Sequence, residues 1–180
     1  MNPQEVIGYW YSDRIRKRWF SSTPELDAEI REKYEPLWIS GVRGELDGWR
    51  TTAAGCLALV LVFDQFPLNM FRGQARSFQT EARAREVARE ALNNKFDTEL
   101  EKEKLPFLFM PFMHSEQLED QDLAVALFER YGLNENLRFA LHHREIVRKF
   151  GRFPHRNEIL GRENTPEERE YLASKSAFRG

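Results

Sequence analysis

Apolar residues recur along most of this chain at three- and four-residue spacing, the period of helices that bury one face. Asn2-Pro3 can cap and start a first helix through Trp10, because proline loses no hydrogen bond at the first helical position. Thr23-Pro24 starts a second, with Leu26, Ile30, Tyr34 and Leu37 on one face and Gly41 and Gly44 closing it. Ala53 to Phe63 is apolar throughout, and by pattern a Val/Leu run also suits a buried strand. Its length, its small residues Ala53, Ala54, Gly55 and Ala58, and the lack of a second strand-like run predict a buried helix stopped by Pro67. Ala75 to Asn94, rich in Ala, Arg and Glu, has high intrinsic helix propensity. Leu100 to Met113 is aromatic and interrupted by Pro106 and Pro111, which predicts short or bent helical pieces.

Glu116 to Tyr131 places Leu123, Ala124, Leu127, Phe128 and Tyr131 on one face, and Gly132 ends it. Ser115 is its expected N-cap, with Glu116 in the first turn. Asn136 to Phe150 follows, ended by Gly151, and Pro154 forces a turn over Gly151 to Asn157. Thr165-Pro166-Glu167-Glu168 reads as a capping box that opens a last helix through Phe178. No linker, low-complexity tract or strict repeat interrupts this order. Residues 1–180 therefore read as a single all-α domain: about seven helices in an antiparallel stack, a bundle or an α-solenoid.

Composition narrows the classes without choosing a function. Hydrophobic residues make up 41% and charged residues 31% of 180, which is globular composition. A net charge of -2 gives no global attraction to nucleic acid or anionic lipid, so neither partner is expected. The lone cysteine, Cys56, excludes an internal disulfide and a Cys-based zinc site, and reads as a small buried thiol. No signal peptide is visible, and the apolar run Ala53–Phe63 is about half a spanning length, so the cytoplasm is the expected location.

Four polar clusters are the candidate chemistry: Asp64-Gln65-Phe66-Pro67-Leu68-Asn69 with Arg72; His114-Ser115-Glu116 with Gln121; His142-His143; and Phe150 to Asn157, trailed by Gly161-Arg162. An ionised Asp64 behind an apolar run needs a partner, and Arg72, Arg152 or Arg156 would supply it. The stretch Arg138–Arg162 holds seven Lys/Arg against two Glu, while Asp97–Asp122 holds eight Asp/Glu against two Lys. Such complementary segments are expected to face each other, bringing His114 and Glu116 near His143 or His155. Imidazoles beside carboxylates can do acid–base work near neutral pH, so His114, Glu116, His143 and His155 are the catalytic candidates. Asp64, Gln65, Asn69, Arg72, Gln121, Arg152, Arg156, Asn157 and Arg162 are the candidate ligand-binding residues.

Nucleophile elbows, phosphate loops and dinucleotide fingerprints are all missing, and the His and Glu spacing matches no metal pattern, so neither cofactor nor metal is expected. The clusters resemble a largely bacterial family catalogued only as a domain of unknown function, number nine-two-four. Its motifs match at Asp64 to Asn69, His114 to Glu116, Gln121, His143-Arg144, Phe150 to Asn157 and Leu160 to Arg162. Leu68 stands where the family pattern has arginine, and His142 falls outside the pattern. The resemblance implies a tetratricopeptide-like α-α superhelix and no particular activity. Two functions stay open on the residues alone: a pocket that binds or transforms a small anionic metabolite, or a scaffold for a peptide or protein partner. The sequence does not decide whether the protein is an enzyme.

Overall fold

A computed structural model describes residues 1–179, and among them every regular element is helical. The chain forms two compact units, one from Met1–Arg72 and Arg76–Pro111, the other from Gly73–Ala75 and Phe112 onward.

The first unit opens with α1 (Pro3–Trp10), where Asn2 and Glu5 form a reciprocal capping box. A four-residue helix, α2 (Asp13–Arg16), follows and has no apolar period long enough to announce it. The next helix, α3 (Pro24–Val42), is capped by Thr23 and carries Pro36 inside it. It buries Leu26, Ile30, Tyr34 and Trp38, so Trp38 takes the inward place expected of Leu37.

The apolar centre departs most from expectation. Helix α4 (Ala53–Val60) runs through a π-helical turn at Leu61–Gln65 into α5 (Phe66–Met70), so Pro67 does not stop it. A π turn shifts the hydrogen bonds by one residue, and Phe66 N–H reaches Leu61 O. Pro67 has no N–H to give the Phe63 carbonyl, and Thr80 Oγ1 donates to that carbonyl instead at 2.7 Å. Thr80 in turn accepts the Trp38 indole N–H at 3.0 Å. The gap left by proline is thus closed by a side chain from outside the helix.

Ala53–Met70 is apolar enough to cross a membrane by composition, yet 89% of it is buried. It packs against α1, α3 and α6 (Glu81–Asn93). Gly55 lets α4 press against the preceding 3-10 turn, Asp47–Thr51, since a Cβ there would lie 1.8 Å from Trp49 O. Trp10, Phe66 and Phe107 meet in edge-to-face pairs at 5.5–5.6 Å, and Tyr34 lies against Phe66 at 4.2 Å. Cys56 is buried and free, as expected. The Ala75–Asn94 segment is broken, with a 3-10 turn at Ala75–Phe78 before α6. Of Leu100–Met113, α7 (Leu105–Met113) keeps Pro111 inside it, behind a 3-10 turn at Lys102–Lys104.

The second unit is built on a helical hairpin, α8 (Leu118–Arg130) against α9 (Asn134–Phe150). Gly151 closes α9 at φ 70°, a left-handed cap that costs glycine little. A 3-10 turn at Pro154–Arg156 makes the predicted bend. The capping box at Thr165 and Glu168 opens α10 (Pro166–Ala173), which ends at Ser174 and leaves Phe178 outside it. Ile146, Val147 and Phe153 form a buried cluster, with Phe150, Tyr171 and Phe178 packed against it.

Candidate functional site

In the first unit the candidates form one polar thread at the end of the apolar helix. Asp64 is buried and accepts from Gln65 Nε2. Asn69 Nδ2 donates to Gln65 O at 3.0 Å, and Arg72 reaches Asn69 Oδ1 at 3.4 Å. The main partner of Arg72 is Asp27, at 2.6 and 3.3 Å, a carboxylate that sequence reasoning had not singled out. Arg72 and Arg152 therefore lend their guanidiniums to other carboxylates rather than serving as the expected counter-ion of Asp64. A shallow open cavity of about 540 Å³ in this unit is lined by Tyr9, Lys33 and Tyr34 among others, and by none of the candidates.

In the second unit the turn after α9 is tied at three points. Glu116 accepts both Arg162 terminal nitrogens at 2.8 Å and the Phe153 N–H at 2.8 Å. Burial works against ionising this carboxyl, but the Arg162 contacts and the Phe153 N–H outweigh it and hold it below its usual range. Arg152 makes a two-point pair with Glu168 at 2.7 and 2.8 Å. Glu168 also accepts from Thr165 N and from Asn157 Nδ2, and its pKa falls to about 2, chiefly through Arg152. Arg156 donates to the His114 carbonyl at 3.0 Å and lies over the Phe153 ring. Gln121 Nε2 holds the Met113 and Ser115 carbonyls at 2.7 and 2.6 Å.

Ser115 does not cap α8, because Gln117 holds that position. Its hydroxyl donates to Asp120 and accepts the Gln117 N–H, which leaves Glu116 outside the helix and able to meet Arg162. The charge complementarity read from sequence is realised in part. Arg144 pairs with Asp122 and Arg162 with Glu116, while Glu101 and Glu103 find Lys104 and Arg16 within the first unit.

All four histidines of the chain lie in the second unit and act on one another. His143 sets Nδ1 at 2.8 Å from the Phe139 carbonyl, so Nδ1 carries the proton and Nε2 is a bare acceptor. Burial lowers its pKa to about 3, against the pull of that carbonyl, with His114, His142 and His155 adding to the depression. His155 falls to about 4, through burial first and then the charge of Arg156; Glu116 opposes and Arg162 assists. Its Nδ1 is buried and has no hydrogen-bond partner in the protein. Phe178, which the sequence marks only as the end of the last helix, sits among three of these rings, 4.4 Å from His143, 5.0 Å from His155 and 6.4 Å from His142. Among the described residues no group of three His, Cys, Asp or Glu is placed to hold a metal.

These shifts fix a pH response. An imidazole ordinarily titrates near 6.5, whereas the folded chain holds His143 and His155 at about 3 and 4. The unfolded chain therefore takes up protons first, so stability is full above pH 6.5 and declines as pH falls towards these values. A His155→Phe variant should show a shallower loss between pH 6.5 and 4 in urea unfolding midpoints. An unchanged slope would mean that His155 is solvated.

Residues 6–176 match the family described as bacterial protein of unknown function (DUF924). A solved structure, that of the protein of unknown function ATU0120 from Agrobacterium tumefaciens, superposes with a TM-score of 0.90. It is 38% identical, over 95% of this chain and 96% of that one. No curated protein matches the chain.

Proposed function

The chain belongs to the DUF924 family of bacterial proteins, and from that footing we propose that it binds a small anionic metabolite, a carboxylate, at the histidine cluster of its second unit. One observation carries this reading: His155 Nδ1 is a buried polar atom with no partner in the protein. Leaving such an atom unmet costs about 1–3 kcal/mol, which a bound ligand group offsets. The sign of the local potential selects the ligand's charge. Arg156 acts on His155 more strongly than Glu116 does, and Arg162 adds to it, so an acceptor anion is favoured there. Arg152 and Arg162 are already matched by Glu168 and Glu116, so a singly charged carboxylate suits the site better than a dianionic phosphate.

The rival is a face for a peptide partner, and α9 exposes Phe139 and Leu141. These are two residues apart and point to different sides of the helix, so they form no continuous stripe.

The test is a titration with acetate, larger carboxylates and phosphate, read by melting temperature, because a ligand of the native state must stabilise it. Carboxylates should raise the melting temperature of the wild type at millimolar concentration, phosphate should do so less, and His155→Ala should abolish the rise while still melting cooperatively. No rise with any anion rejects the site.

A further inference from the structure

The Phe178 ring sits in unusual company. One side packs on the Ile146, Val147 and Phe153 cluster, as a phenyl ring should. Its other neighbours are imidazoles, with interplanar angles of 61° to His143, 83° to His155 and 73° to His142, all edge-to-face. That geometry places ring edges against ring faces, the favoured arrangement for aromatic pairs. It also sets a phenyl ring against the same imidazole whose Nδ1 has no partner in the protein.

The segment that brings the ring there is lightly held. No helix continues beyond Ala173. Phe178 N–H donates to the Tyr171 hydroxyl at 2.9 Å, Ala177 N–H reaches Ser174 O at 3.4 Å, and the Arg179 bond to Leu172 O is exposed. Phe178 itself is only half-buried. Segments with few buried contacts and exposed backbone bonds open at small free-energy cost.

We propose that the place filled by the Phe178 ring is a subsite for an aromatic ring on the ligand, so that the site takes an arylcarboxylate and the chain's own phenyl competes for it. This rests on the carboxylate reading above. An aryl ring that carries its carboxylate directly spans the two features, with the ring among the imidazoles and the anion towards His155. The Phe178 segment then acts as an internal competitor, and apparent affinity is reduced by the fraction of molecules in which the subsite is open.

Benzoate, cyclohexanecarboxylate and acetate are titrated into the wild type, Phe178→Ala and Tyr171→Phe, with binding followed by calorimetry and by the histidine ring resonances. Phe178→Ala should tighten benzoate by about tenfold or more, because the competitor is gone. Tyr171→Phe keeps the ring and removes only its backbone tether, so it should tighten benzoate by a smaller factor. It carries the test alone if Phe178→Ala does not fold. Acetate should move by less than about twofold, and cyclohexanecarboxylate should gain less than benzoate, since it lacks a ring quadrupole. Benzoate unchanged or weakened in the folded variants, with acetate still binding the wild type at His155, overturns the aryl subsite and leaves the carboxylate site standing. No carboxylate bound by any of the three proteins overturns both.

Discussion

Replacing Glu168 with alanine should cost about 2–4 kcal/mol, because it unpairs a partly exposed Arg152 and strands the Thr165 N–H and an Asn157 amide hydrogen in the interior. The Glu168 side chain is 1% exposed and serves two groups besides Arg152: Asn157 Nδ2 and the Thr165 N–H, the latter being its half of the capping box that opens α10. Urea unfolding at pH 7 measures the loss, and a value below about 1 kcal/mol would mean the pair is worth no more than a surface one. The same carboxyl predicts a distinct acid response. Its folded pKa of about 2 lies below the ordinary 4.5, so its contribution is complete above pH 4.5 and is lost as pH falls towards 2. Glu168→Gln should remove that lower window while leaving the histidine-driven decline that begins near pH 6.5.

Thr80→Val should cost about 2–4 kcal/mol, although the two side chains have nearly the same shape. The change strands two buried groups at once: the Trp38 indole N–H and the Phe63 carbonyl, which Pro67 cannot serve. Thr80→Ser keeps the hydroxyl and should recover most of the loss. Denaturant midpoints for both variants decide the matter. A valine variant as stable as the wild type would mean that water, not Thr80, completes the π turn.

Helix starts were legible wherever a local device writes them. Asn2-Pro3, Thr23-Pro24 and Thr165-Pro166 mark their helices because a cap is made within a few residues of itself. Ends that depend on distant groups were not legible. Pro67 is a stop signal by local rules, and only Thr80, contributed from outside the helix, makes it tolerable. The site divides the same way. His114, Glu116, His143 and His155 stand out by residue type, and all fall in the second unit. The pairing of Arg152 with Glu168 and of Arg162 with Glu116 spans 16 and 46 residues, and no periodicity encodes such separations. Phe178 gave no signal, because an aromatic in the chain's last residues reads as helix face until its helix is seen to end at Ala173.

The apolar stretch Ala53–Met70 has a consequence for how this protein is made. Its mean hydropathy of 1.5 over 18 residues is what a newly synthesised chain shows the insertion machinery, before α6 and Met110 exist to cover it. Until about forty further residues have been synthesised, that segment lacks part of the protein surface it will pack against. Asp64 sits well inside the run, and a carboxylate at the middle of a spanning helix costs about 3 kcal/mol on insertion. The carboxylate that ends up buried in the fold thus also raises the cost of placing this lipid-like segment in a bilayer.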